Sequence, residues 1–119
     1  MTVRLALGAL AAAAALAGAA SASAPPVGPL PAGPVQRITT QRGQLVAVAL
    51  PQAANGRTWR LARPVNPKVL REVSEADVGP NVVVVYKAFA RGSVTVSYAL
   101  TRGERAHAYA ARRFVVVVK

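Results

Sequence analysis

From Val35 to the C-terminus, apolar positions alternate with polar ones at a period of two. That is the pattern of β-strands with one buried face. Gln44 to Leu50 puts Val46, Val48 and Leu50 on one face. Thr58 to Arg63 puts Trp59 and Leu61 inward and Arg60 outward. Val82 to Phe89 groups Val82, Val84 and Tyr86, with Lys87 opposite. Ser93 to Leu100 sets Val94, Val96 and Tyr98 against Thr95 and Ser97, and Arg113 to Lys119 groups Phe114, Val116 and Val118. Weaker strands are Val35 to Thr40 and Val69 to Val73. Turn pairs separate them: Arg42-Gly43, Asn55-Gly56, Asn66-Pro67, Gly79-Pro80, Arg91-Gly92 and Arg102-Gly103. Glu72 to Val78 is the one stretch that suits a single helical turn. Seven short strands so spaced predict an all-β domain, an immunoglobulin-like antiparallel β-sandwich, with a small β-barrel as the alternative. Trp59, Tyr98 and Phe114 are its expected core markers. The runs Val82–Val85 and Val115–Val118 are either buried on both faces or place valine outward, with Lys87 and Lys119 as flanking gatekeepers.

The N-terminus follows a different pattern. Arg4 precedes an unbroken Ala, Leu and Gly run from Leu5 to Ala20, and Ala22-Ser23-Ala24 forms a small-residue cleavage site. Residues 1–24 are therefore expected to be a cleaved signal peptide. The run falls short of a spanning helix, so no membrane span is expected after cleavage. Residues 25–34, Pro25-Pro26-Val27-Gly28-Pro29-Leu30-Pro31-Ala32-Gly33-Pro34, suit an extended linker. Residues 35–119 form the domain. The expected location is secreted, periplasmic or in the cell envelope, and the expected state is a monomer.

Composition narrows the chemistry. The chain has 119 residues, no Cys and one His. No disulfide, thiolate nucleophile or Cys-based metal site can form. Ser74, Ser93 and Ser97 are the candidate hydroxyls, but Ser93 and Ser97 sit on an expected strand and suit ordinary strand roles, and Glu104 with His107 reads as a surface contact. Glu72, Glu75 and Asp77 lack calcium-loop spacing and read as a solvated acidic bend. No glycine-rich phosphate loop precedes a helix. No enzymatic activity, cofactor or metal is expected.

Charge suggests a partner class. Fifteen Lys and Arg against four Asp and Glu give a net charge of +11. Such a balance draws the domain toward an acidic polymer or an acidic protein face. It also fits an Arg- and Ala-rich composition without functional meaning. Export and the scarcity of aromatics argue against nucleic acid.

Together the strands and turns resemble the chagasin-type (family I42) inhibitors of papain-like cysteine proteases, over about Thr39 to Lys119. The best stretch is Gly43 to Trp59, GQLVAVALPQAANGRTW. It is similar to the family's G-x-L-V-x-I-x-L-P run, a turn-rich loop ending in Gly, and a Trp-bearing strand. Val82 to Tyr98 resembles the family's paired strands ending in Tyr, and Arg113 to Lys119 resembles its closing strand. The resemblance implies a disulfide-free secreted sandwich. It implies three loops at one end that fill a protease cleft, here Pro51–Thr58, Glu75–Asn81 and Ala99–His107. The protease-binding residues it implies are Ala54, Asn55, Gly56, Arg57, Gly79, Leu100, Thr101 and Arg102. The first loop lacks the family's Pro-Thr-Thr, the middle loop keeps only Gly79, and Ala99-Leu100-Thr101 stands where the family has Arg-Pro-aromatic.

Overall fold

A computed structural model describes residues 26–119; the expected signal segment lies outside the described residues. Seven strands follow one another: β1 (Val35–Thr40), β2 (Leu45–Pro51), β3 (Arg57–Leu61), β4 (Leu70–Val78), β5 (Asn81–Ala88), β6 (Gly92–Arg102) and β7 (Ala110–Val118). They form a four-stranded sheet in the order β1-β7-β6-β3 and a three-stranded sheet in the order β2-β5-β4. The two sheets face each other as an immunoglobulin-like sandwich. Every paired neighbour is antiparallel except β1 and β7, which run parallel. The exception has a simple cause. Gln41–Gln44 carries the chain from β1 into the opposite sheet, so β1 forms no hairpin and lies instead beside the last strand. Lys119 N–H donates to the Thr40 carbonyl at 2.9 Å and closes that corner.

The alternation in sequence places the core. Val46, Val48 and Leu50 of β2 are buried with Val84 and Tyr86 of β5, Val96 and Tyr98 of β6, and Phe114, Val116 and Val118 of β7. Each fully buried aliphatic side chain contributes about 1.5–3 kcal/mol relative to exposure. In both valine runs the members alternate: Val84, Val116 and Val118 point inward, and Val83, Val85, Val115 and Val117 sit half-buried on outer faces. Trp59 packs against the core, and its indole Nε1 donates to the Pro51 carbonyl at 2.8 Å. Tyr86 and Tyr98 join the two sheets through a 2.6 Å hydrogen bond between their hydroxyls.

Leu61 shares the inner face with its ladder partner Tyr98, yet is 39 % exposed because it ends an edge strand on the side where the sandwich is open. Two expectations need correction. Glu72 to Val78 is strand, not a helical turn or a bend: it completes β4 and pairs with β5 across a bulge at Val73. The extra residue puts Glu72 and Glu75 three apart on one face, which reads as helical spacing and hides the strand period. The Pro/Gly stretch, without regular secondary structure, packs on the domain instead of spacing it from anything. Val27 is buried with Ala99 and Ala108 on the outer face of the four-stranded sheet. Gly28 N–H donates to the Ala106 carbonyl at 2.8 Å, and Arg63 Nη1 donates to the Val27 carbonyl at 3.2 Å.

Candidate functional site: the loop-bearing pole

Strand direction decides where the connections emerge. β2, β4 and β6 run toward one pole, and β3, β5 and β7 run away from it. The connections Gln52–Gly56, Gly79–Pro80 and Gly103–Tyr109 therefore leave the same end. Local bonds hold them together. Gln52 N–H donates to the Pro80 carbonyl at 2.9 Å, and its side-chain Nε2 donates to Asp77 Oδ1 at 3.1 Å. These contacts join the first connection to the second. Arg57 lies opposite Arg102 in the β3–β6 ladder, and its guanidinium covers the Tyr109 ring at 3.9 Å. His107 meets the same ring edge-on at 4.6 Å. Arg60 Nη2 donates to the Arg105 carbonyl at 3.0 Å and to the Glu104 carbonyl at 3.3 Å. Arginine thus ties the third connection to β3.

Turn chemistry shapes the tip. Asn55 and Gly56 have φ of 62° and 74°, the left-handed values that Asn and Gly tolerate best. This is the turn geometry expected of Asn-Gly, but it joins strands of opposite sheets instead of closing a hairpin. The tight hairpin at this pole is the β4–β5 turn, where Gly79 has a φ of 58°, while β6 and β7 pair across the longer third connection.

Ala54, Asn55, Gly56 and Gly79 are exposed at the pole, and Arg57 is half-buried at the start of β3. Leu100, Thr101 and Arg102 are not loop residues. They finish β6, because its ladder with β3 continues as far as Arg102. Thr101 is fully buried, and its hydroxyl donates to the Gly103 carbonyl at 2.6 Å, so it offers nothing to a partner. Arg102 is exposed and Leu100 half-buried. Sequence reasoning passed over Tyr109, which is 40 % exposed at the pole. The signal was an aromatic residue in a polar loop, but its place depends on its N–H donating to the Leu100 carbonyl at 2.8 Å.

Charge at the pole is mostly positive: Arg57, Arg60, Arg102 and Arg105 gather there. The Nε atoms of Arg57 and Arg60 are buried without a partner. Three of the four carboxylates, Glu72, Glu75 and Asp77, lie on β4 instead. Burial, and then Glu75 nearby, raise the Glu72 carboxyl above its ordinary range. Burial also pushes both core tyrosine hydroxyls up, that of Tyr98 furthest. Among the described residues, no group of three or more His, Asp or Glu side chains is placed to hold a metal ion.

No protein-family model and no curated protein matches the sequence. Among solved structures, the fold is similar to that of the cysteine protease inhibitor EhICP2 from Entamoeba histolytica. The TM-score is 0.53 and the identity 14 %, over 72 % of this chain and 96 % of the inhibitor. At that identity the likeness establishes the shared fold.

Proposed function

We propose that the domain is an exported, non-enzymatic binding protein that occludes the cleft of papain-like cysteine proteases with its loop-bearing pole. One observation carries this reading: three connections leave one end of the sandwich and are fastened to one another by Gln52, Arg57 and Arg60. A ridge already ordered loses little conformational freedom on binding. It could block a cleft without presenting a cleavable bond. The fold shared with EhICP2, itself a cysteine protease inhibitor, supports the same reading. Tyr109 and Arg57 are the aromatic and cationic residues in which interface energy concentrates. Titrating papain with micromolar domain should abolish its activity reversibly, and replacing Tyr109 with Ala should weaken inhibition at least about tenfold. Undiminished activity at micromolar domain would overturn the reading.

The gathering of Arg57, Arg60, Arg102 and Arg105 favours a second reading, a cell-envelope module for acidic polymers or proteins. Heparin retention that falls steeply with added salt supports it, and salt-independent retention removes it.

A further inference from the structure

The sandwich is open along one side. Among the described residues β3 pairs only with β6 and β4 only with β5, so each presents a free edge there. Between these edges lies a cleft of about 250 Å³, below the size usual for small-molecule sites and suited to a single side chain. Its floor is apolar: Leu50, Val82, Val84, Trp59 and Tyr98. Arg57 closes it toward the pole, with its guanidinium turned onto Tyr109.

The β4 wall is acidic. Glu72 pairs with Tyr86, Glu75 with Val84 and Asp77 with Val82. Cross-strand partners share a face, and Tyr86 and Val84 are buried core residues. All three carboxylates therefore stand on the inner face of β4, at its open margin, and Glu75 and Asp77 line the cleft directly. Burial and the Glu75 charge both raise the Glu72 carboxyl. In a chain of net charge +11, this is a local excess of negative charge above an apolar floor.

We propose that this side cleft is a docking site for an extended segment of a partner protein, which lies along the free edge of β4 and inserts one lysine or arginine side chain. Charge complementarity selects the occupant. The aliphatic stem of such a side chain packs on Trp59 and Leu50 while its head reaches Glu75 and Asp77, so both parts find matching surface. Backbone pairing along an exposed strand edge supplies the remaining contacts. The site goes beyond the pole reading and needs no protease.

Trp59 is the only tryptophan in the chain and borders the cleft, so its fluorescence reports occupancy. The probes are three acetylated, amidated heptapeptides, Thr-Val-Thr-X-Thr-Val-Thr, with X as Lys, Leu or Glu. The Lys peptide should shift Trp59 emission saturably and bind more tightly than the other two. A Glu75→Gln, Asp77→Asn double variant should weaken it roughly five- to tenfold, the worth of two partly exposed ion pairs. Glu104→Gln, away from the cleft, should leave it unchanged, and circular dichroism should show the same folded spectrum for every variant. The proposal is overturned by no saturable response to the Lys peptide. It is equally overturned if the Leu or Glu peptide binds as tightly, or if the double variant binds as well as the parent. None of these outcomes depends on papain, so this idea and the pole reading fail separately.

Discussion

Tyr86 and Tyr98 are the residues whose chemistry reaches furthest into stability. They come from different sheets, are almost wholly buried, and share one hydrogen bond. Burial is the main cause that raises both hydroxyls above the ordinary tyrosine value of 10.0. The sign follows from linkage. The folded state holds these protons more tightly than the unfolded chain, so their stabilisation is complete below about pH 10 and is lost as pH rises beyond it. In that alkaline range stability should fall by up to about 1.4 kcal/mol per pH unit for each tyrosine. Thermal melts should be flat from neutral pH to about 9 and drop steeply above 10. A Tyr86→Phe, Tyr98→Phe double variant should lose most of that drop. Tyr98→Phe alone should cost about 1–3 kcal/mol at neutral pH, because it strands the Tyr86 hydroxyl.

At the scale of elements, β4 is the most informative. Its bulge inserts Val73 between two regular stretches: Leu70, Arg71 and Glu72 pair with Ala88, Lys87 and Tyr86, and pairing resumes at Ser74 with Val85. Removing Val73 would join them without changing which face any neighbour occupies. Deletion of Val73 should therefore leave the domain folded, with its melting temperature within a few degrees of the parent. The regular edge it creates should self-associate more readily, since bulges blunt strand edges. Light scattering on concentrated samples checks this; an unfolded variant would show that the bulge is required for the register. The same residue explains why β4 was hard to read. Glu72, Val73, Ser74, Glu75 contains one residue too many for a period of two, and acidic residues are scarce in strands generally. In β2, β5 and most of β7 burial follows the alternation, whereas β6 buries Val96 to Ala99 in succession because Ala99 is covered on the outer face as well.

At the scale of the whole molecule, the two outer faces differ. The four-stranded sheet is covered by Pro26–Pro34 and by the Ala106–Ala108 part of the third connection, which together bury Ala99. The covering depends on close backbone approach at Gly33, where a Cβ would collide with the Ala111 carbonyl oxygen. Gly33→Ala should lift the segment, speed hydrogen exchange at the Gly28 amide, and leave the β5 core amides protected. Unchanged exchange at Gly28 would show that the segment is held independently of that contact. Because Gly28 binds the third connection through Ala106, the same variant also tests whether this segment steadies the pole.

The sequence by itself determined the class of the fold. Alternation is a local property, and Val46-Val48-Leu50, Val96-Tyr98 and Phe114-Val116-Val118 name their buried faces without knowledge of any partner. It also determined the chemistry excluded by the missing cysteines, and the Asn55-Gly56 turn, whose backbone needs are met within two residues. Only the tertiary structure decided what depends on contacts between distant segments. The ladder to β3 made Thr101 a buried strand residue instead of a loop residue, and the long third connection brought Tyr109 under Arg57. The Pro/Gly segment became part of the domain through Arg63 and Ala106, and the bulge set three carboxylates against the core's open side. Pairing register and sheet stacking join residues far apart in the chain, and no local pattern encodes which of them will meet.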